Sequence, residues 1–478
     1  MGDAVWVGAG VYREGSELII SKNVSIYGGF DGTETELSQR DIENNRVIID
    51  GEEEYRCVSN YGTIDGLYIT KGSTSKGGGI ANWGVVTDCT VYNNSAGYGG
   101  GIRNYKGPVT NCAVYGNSSY GDGGGIYNNA KGVVTNCTVY DNSAINYFIY
   151  SSVGGGIYSE GEVTNCTLYD NFAHVGGGGI YNNASGVVTN CAVYDNSADD
   201  GGGIYNDEGA VTNCISWNNN NGDIAGIGDV SYSCFGGGSG TGNISANPLF
   251  VNTSGDVSTW DFKLQADSPC IDAGTENNAP DADIDGTPRP QGDGFDMGAC
   301  EFPFPDSARF IAQEVPVELK QEENYDVAIA MKNIGSKTWS GADGYRLGDI
   351  ATTTSLWGVS KVDLKPGITV APDEKTSFTF TITAPTNKGE YDFQWRMFKE
   401  SEDKWFGEKT PLVKVQVIEE MLPGDVNDDG VLTMDDVTLL QEHILGISAL
   451  DPEAASRADG NGDNVLDVSD VITILRNL

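Results

Sequence analysis

The sequence predicts a mostly β protein built from a right-handed parallel β-helix, an immunoglobulin-like β-sandwich and a small α-helical module carrying two cation loops. Three observations predict it. A short phrase recurs through the first three hundred residues, alternating strands free of cysteine follow, and two acidic twelve-residue loops stand near the end. At 478 residues the chain exceeds one ordinary domain.

The recurring phrase is Gly-Gly-Gly-Ile or close to it, with its Ile at 80, 102, 126, 157, 180 and 204. A second phrase, Thr-Asn-Cys or close to it, places Cys89, Cys112, Cys137, Cys166, Cys191 and Cys214. The period is 22 to 25 residues, with one longer step. That unit is too short for a helix pair, and Cys137 and Val139 alternate with Thr138 and Tyr140 as in a strand. Short strands punctuated by Gly and Asn describe one coil of a parallel β-helix. Nine or ten coils stacked at the inter-strand spacing give a rod about 45 Å long. The cysteines are expected to line up inside it as free, buried thiols, because rung geometry is not disulfide geometry. Asn82, Asn104, Asn128, Asn182 and Asn206 form another column, with Ser159 in one place. Turn Asn with left-handed backbone is the expectation there.

Ala4-Val-Trp-Val, Leu18-Ile-Ile, Val24-Ser-Ile-Tyr and Val47-Ile-Ile read as strands ahead of the repeat. With Ile26-Tyr-Gly-Gly-Phe-Asp-Gly-Thr-Glu34, Ser268-Pro-Cys-Ile-Asp-Ala-Gly274 and Gly294-Phe-Asp-Met-Gly-Ala-Cys-Glu-Phe302, residues 3 to 302 resemble right-handed β-helix proteins of bacterial surfaces and secretomes. That resemblance implies a fold much more than a reaction. Such proteins open with a capping segment, which this chain lacks, so an N-terminal truncation with loss of an export signal is expected.

Composition narrows the function. Lys and Arg total 28 against 68 Asp and Glu, a formal net charge of -40. Nucleic acid and anionic membranes select basic surfaces, so neither is expected as a partner. No apolar run approaches a membrane span. The rod lacks the Gly-His-Gly and Arg-Ile-Lys phrases of polygalacturonase-like hydrolases. Its catalytic candidates are Asp199, Asp200, His174 and Arg103. Asp122 occupies a place similar to Asp200, and paired carboxylates could serve glycoside hydrolysis. The longer step carries an insert, Ile145 to Val153, whose Tyr147, Phe148 and Tyr150 are candidate ligand-stacking residues. Core packing and turn formation are the competing roles for all of these.

After Phe302-Pro-Phe-Pro305 glycine thins and alternating strands appear. They are Tyr325 to Met331, Thr376 to Ile382, Tyr391 to Met397 and Val413 to Val417. Asn333-Ile-Gly-Ser-Lys-Thr-Trp339, Gly344-Tyr-Arg-Leu, Ala384 to Tyr391 and Trp395-Arg-Met-Phe resemble the four-tryptophan immunoglobulin-like domain. The tryptophans are Trp339, Trp357, Trp395 and Trp405, and the resemblance implies a spacer or protein-binding module over 303 to 420.

The two acidic loops are Asp425 to Asp436 and Asp459 to Asp470, 34 residues apart. Calcium takes six to eight hard oxygens around a sharply turning loop. Positions one, three and five supply Asp425, Asn427 and Asp429, then Asp459, Asn461 and Asp463. Position seven supplies the carbonyls of Val431 and Val465, position nine Thr433 and Asp467, and position twelve Asp436 and Asp470. Gly430 bends the first loop, and Asn464 stands in its place in the second. Two calcium ions are expected. Each loop runs into an amphipathic helix, with Val437, Leu440 and Ile444 matched by Val471, Ile474 and Leu478.

Asp at position twelve, loop then helix without an entering helix, and internal duplication resemble type I dockerins over Pro423 to Leu478, within a domain expected at 421 to 478. The resemblance implies a cohesin partner and a secreted, cellulosome-type setting. It also implies contact through Met434, Asp435, Val468 and Ser469, with Gln441, Glu442, Leu475 and Arg476 adding to it. The mismatched pairs Met434-Asp435 and Val468-Ser469 favour one docking orientation. The functional expectation is a monomer moored by its dockerin, with the rod binding or presenting to a polysaccharide or surface. The alternatives are a tethered polysaccharide lyase or O-glycosyl hydrolase, and an adhesin.

Overall fold

The computed structural model describes residues 3–146, 152–350, 356–418 and 422–478. They fall into two compact units, Met1–Ala308 with Ile334–Lys337, and Arg309–Asn333 with Thr338–Leu478.

The first unit is the parallel β-helix. One coil runs through β1 (Ile80–Asn82), β2 (Val85–Thr87), β3 (Thr90–Tyr92) and β4 (Ser95–Tyr98). Stacked coils form three parallel sheets of ten, nine and ten strands, with a five-stranded fourth sheet along the middle coils. Pairing is in register, so like residues meet: Ile80 opposes Ile102 and Asn82 opposes Asn104. Ile80, Val86, Cys89 and Val91 point inward and are sealed from solvent, as are their equivalents in the inner coils, while those of the terminal coils, such as Leu18, Ile26, Ile224 and Val230, are half-buried. The cysteine column lies inside as expected, and every thiol is free and buried.

The asparagines divide differently from the expectation. Asn82, Asn104 and Asn128 are not left-handed. They form a buried hydrogen-bonded column in which Asn60, Asn82 and Asn104 each donate Nδ2–H to the next Oδ1 at 2.9 Å. Left-handed backbone is found instead at the residue before each cysteine from Cys89 to Cys214, which is Asp88, Asn111, Asn136, Asn165, Asn190 or Asn213, and at Asp141, Asp170 and Asp195 after the third strand. A second buried column, Asn94, Asn117, Asn142, Asn171 and Asn196, bonds rung to rung at 2.9 to 3.1 Å. A carboxamide suits this place because it both donates and accepts along one axis.

The end of the rod is closed by residues 244–302. A hairpin of Phe250–Asn252 and Asp261–Leu264 brings Trp260 and Phe262 against Tyr169 and Tyr194. Beneath it Arg289 and Glu301 form a fully buried ion pair at 2.6 Å. Burial is the leading cause that pushes Asp296 up to about 8 and Glu301 up to about 7, and mutual repulsion adds to it at Asp296.

The second unit holds antiparallel sheets of sandwich type. Asn324–Asn333 pairs with Lys375–Thr383 over their full length. The expected single strand from Tyr391 to Met397 is two, Gly389–Phe393 and Trp395–Lys399, which join different sheets on either side of Gln394. Trp339, Trp357 and Trp395 are fully buried, and Trp405 is half-buried against Phe398. All four pack the sandwich.

Candidate calcium loops and docking face

Three helices shape the C-terminal module: α1 (Met434–Ile444), α2 (Pro452–Ala458) and α3 (Val468–Asn477). Val437 and Leu440 of α1 meet Val471 and Ile474 of α3 in a core that Val426, Ala454 and Ala458 complete. Helix α2 escaped the sequence reading. Its signal was Asp451-Pro452, since Asp451 caps it by accepting from Ala454 N–H at 2.8 Å and Pro452 opens it. Leu478, expected in the core, lies exposed because α3 ends one residue before it.

The loops are near copies in their bonding. Asp425 accepts from Gly430 N–H at 2.7 Å, and Asp459 accepts from Asn464 N–H at 2.7 Å. Gly430 and Asn464 have φ of 80° and 63°, so Asn does take the left-handed bend in the second loop. Asp429 and Asp463 accept from Val431 and Val465 N–H at 3.0 and 2.9 Å. Those bonds turn each loop inward while the two valine side chains remain exposed.

Positions nine and twelve are shared with the helices. Thr433 and Asp467 cap α1 and α3, and Asp436 and Asp470 complete capping boxes by accepting from the cap N–H groups. Asp436 and Asp470 are fully buried, and Asp425 nearly so. An acidic side chain buried beside a helix N-terminus is favoured by the partial charge there. Among the described residues no three Asp, Glu, His or Cys side chains converge closely enough to ligate a metal. The loop carboxylates are instead occupied with loop N–H groups. The donor chemistry nonetheless suits calcium: hard carboxylate and carboxamide oxygens at positions one, three, five and twelve, with a backbone carbonyl at seven.

The residues expected to meet a partner are displayed outward. Met434 and Val468 are 59% and 61% exposed, and Asp435, Ser469, Gln441, Leu475 and Arg476 are exposed while Glu442 is half-buried. The two helices differ, however. Val468, Ile472 and Leu475 form an exposed apolar row on α3. The equivalent positions on α1 are Met434, Thr438 and Gln441.

On the rod, Asp199 and Asp200 are exposed, and His174 is half-buried with its backbone N–H on Ala144. Asp200 bridges to Gly176, Gly176 to Val153, and Gly123 N–H reaches Val153, so Asp122 and Asp200 stand three rungs apart. That is about 14 Å, beyond the reach of a glycosidase carboxylate pair. Arg103 lies over the Tyr127 ring at 3.5 Å. Tyr147, Phe148 and Tyr150 lie outside the described residues. Arg40 pairs with Asp65 at 2.7 Å beside a cleft of about 710 Å³ lined by Tyr68, Thr90 and Asn111. No described helix is long and apolar enough to cross a membrane.

Residues 423–478 match the dockerin type I domain family. Type I dockerins typically bind calcium and attach extracellular cellulosome components to cohesin modules, so the match implies a cohesin partner. No curated protein matches the chain. Among solved structures, the CARDB domain of PF1109 from Pyrococcus furiosus is similar at 16% identity and a TM-score of 0.17. That likeness covers 25% of this chain and all of the other.

Proposed function

We propose that this chain is an extracellular modular protein that docks through a calcium-loaded dockerin onto a cohesin, and that its β-helix binds a polysaccharide. The observation that carries the docking reading is the pair of near-identical loops feeding capped helices within the segment matched to type I dockerins. Asp425, Asn427, Asp429, the Val431 carbonyl and Asp436 hold one calcium. Asp459, Asn461, Asp463, the Val465 carbonyl and Asp470 hold the other, with Thr433 and Asp467 nearby.

The domain plan is a rod over 1 to 302, a four-tryptophan sandwich over 303 to 420 and the dockerin over 421 to 478. The sandwich links the rod to the dockerin along the chain. Docking uses the α3 face, because an apolar row buries more favourable surface than the Thr438-Gln441 row of α1. Titration calorimetry of the full chain against a panel of type I cohesins tests this in calcium and in excess chelator. Binding by at least one cohesin in calcium, abolished by chelator, is the expected result. Absence of binding across the panel in calcium defeats the docking reading.

A further inference from the structure

One outer face of the rod carries a continuous aromatic strip. It lies on the sheet containing β1, at the outward middle residue of each strand and the residue just after the strand's end. In the N-terminal half the outward positions are Ser59 and Ala81, and the strip is made by Tyr61, Trp83 and Tyr105. Those rings stack at 4.7 and 4.3 Å, within 6° of parallel. In the C-terminal half the aromatics move to the outward column as Tyr127, Tyr158, Tyr181 and Tyr205, at 4.3, 5.6 and 5.2 Å. Arg103 joins the halves, 5.3 Å from Tyr105 and 3.5 Å from Tyr127.

Polar groups flank the second half. Glu160 accepts from the Tyr127 hydroxyl at 3.2 Å, Asn183 donates to that of Tyr158 at 2.6 Å, and Asp207 accepts from that of Tyr181 at 2.9 Å. The phenols are therefore oriented, and the Tyr127 and Tyr181 oxygens keep capacity to accept. A comparable tyrosine column, Tyr92 to Tyr169, runs up the sheet containing β3, and its end is covered by Trp260 and Phe262. Among the described residues, the ring contacts along Tyr127 to Tyr205 are to one another, Tyr98 and Arg103.

The rings spend their faces on each other and offer exposed or partly exposed edges on every rung except that of Tyr158, which is buried, with a phenol hydroxyl on each of those rungs but that of Trp83. The repeat is about 4.8 Å and the strip spans seven rungs, roughly 30 Å. A matching ligand is straight, repeats at about one rung, and alternates apolar C–H surface with hydroxyls. An extended chain of β-linked pyranoses with equatorial hydroxyls has that form. The flanking Glu160 and Asp207, and the net charge of -40, repel acidic polymers.

We propose that this strip is a binding track for a neutral, extended β-linked polysaccharide lying along the rod axis with one sugar per rung. The proposal rests on the reading that the rod binds polysaccharide and names where and what.

The test uses the full chain in calcium, with affinity electrophoresis and calorimetry against xyloglucan, glucomannan and hydroxyethyl cellulose. Dextran and polygalacturonate serve as α-linked and acidic contrasts. Binding to β-linked neutral polymers alone is expected. Trp83→Ala is expected to weaken it about ten-fold by removing the central ring of its stack. The pair Tyr127→Phe with Tyr181→Phe keeps the stacks and removes two hydroxyls, and is expected to weaken binding several-fold. The Tyr→Phe pair stays folded at the assay temperature despite two lost hydrogen bonds, and its cohesin affinity stays unchanged. Undiminished binding in that pair and in Trp83→Ala overturns the strip while leaving a polysaccharide-binding rod. Preference for polygalacturonate or dextran overturns the ligand class. Binding to no polymer overturns the strip and the rod's polysaccharide reading together, while cohesin capture is scored separately.

Discussion

The rod and the dockerin both arise from repeated sequence, yet they are held together by opposite means. In the rod each repeat hands its hydrogen bonds and apolar side chains to the next, so one buried core runs from Ile20 to Cys214. The dockerin has two repeats only, facing each other across α1 and α3, and its core is seven buried residues. Its 56 residues carry ten Asp and two Glu against two Arg. A stack stabilises itself by adding copies. A pair this small and this acidic is proposed to fold only when cations offset its charge.

The largest effect that tests this contrast is calcium removal. Chelation is expected to erase the helical circular dichroism of the module and abolish cohesin binding, while the rod's β signal and thermal transition persist. Asp436→Ala or Asp470→Ala should reproduce the loss for its own loop. Helical signal unchanged by chelator would show that the module folds without the ion.

Within the rod, Asn142→Ala should lower the unfolding free energy by about 2–3 kcal/mol, because it strands buried partners on the coils above and below. Calorimetric unfolding measures it, and an Ala variant as stable as the parent would mean that the column contributes nothing. A smaller effect separates the two faces of the dockerin. Val468→Asp should cost cohesin affinity about ten-fold, and Met434→Asp much less. Equal losses would indicate docking in both orientations.

The smallest effect concerns the closing segment of the rod. Asp296 and Glu301 have carboxyls raised above their ordinary range by burial. A raised carboxyl contributes stability that is complete below its unfolded value and is lost as pH climbs through the folded value. The rod should therefore melt at lower temperature at pH 8.5 than at pH 5.5, and Asp296→Asn should flatten the difference. A parent that melts higher at pH 8.5 would place the charged form of Asp296 as the stable one.

Much of this was legible in the residues. The Gly-Gly-Gly-Ile and Thr-Asn-Cys phrases gave the coils because in-register stacking makes each repeat meet its own copy. The two acidic loops were legible because the bonding that turns them is set by local spacing. The Asn82 column was assigned the wrong backbone, since Asn serves equally in a left-handed turn and a buried ladder and spacing does not tell them apart. Helix α2 was missed because seven residues are too few for a periodic pattern. The strand break at Gln394 was invisible because both halves alternate alike.

The tyrosine strip shows the same division. Its Tyr127, Tyr181 and Tyr205 recur in the phrase Gly-Gly-Ile-Tyr-Asn and could be counted from the sequence alone, whereas Tyr61, Trp83 and Tyr105 stand two residues further along their coils. By itself the sequence determined three architectures, two cation loops and the docking segment, because each rests on local or strictly periodic spacing. Only the tertiary structure decided that Tyr92 to Tyr169 run into the covering hairpin while Tyr61, Trp83, Arg103 and Tyr127 form one track on another sheet. That choice depends on which column the residues from Phe250 to Phe262 fold back upon, a contact across many coils that no local spacing encodes.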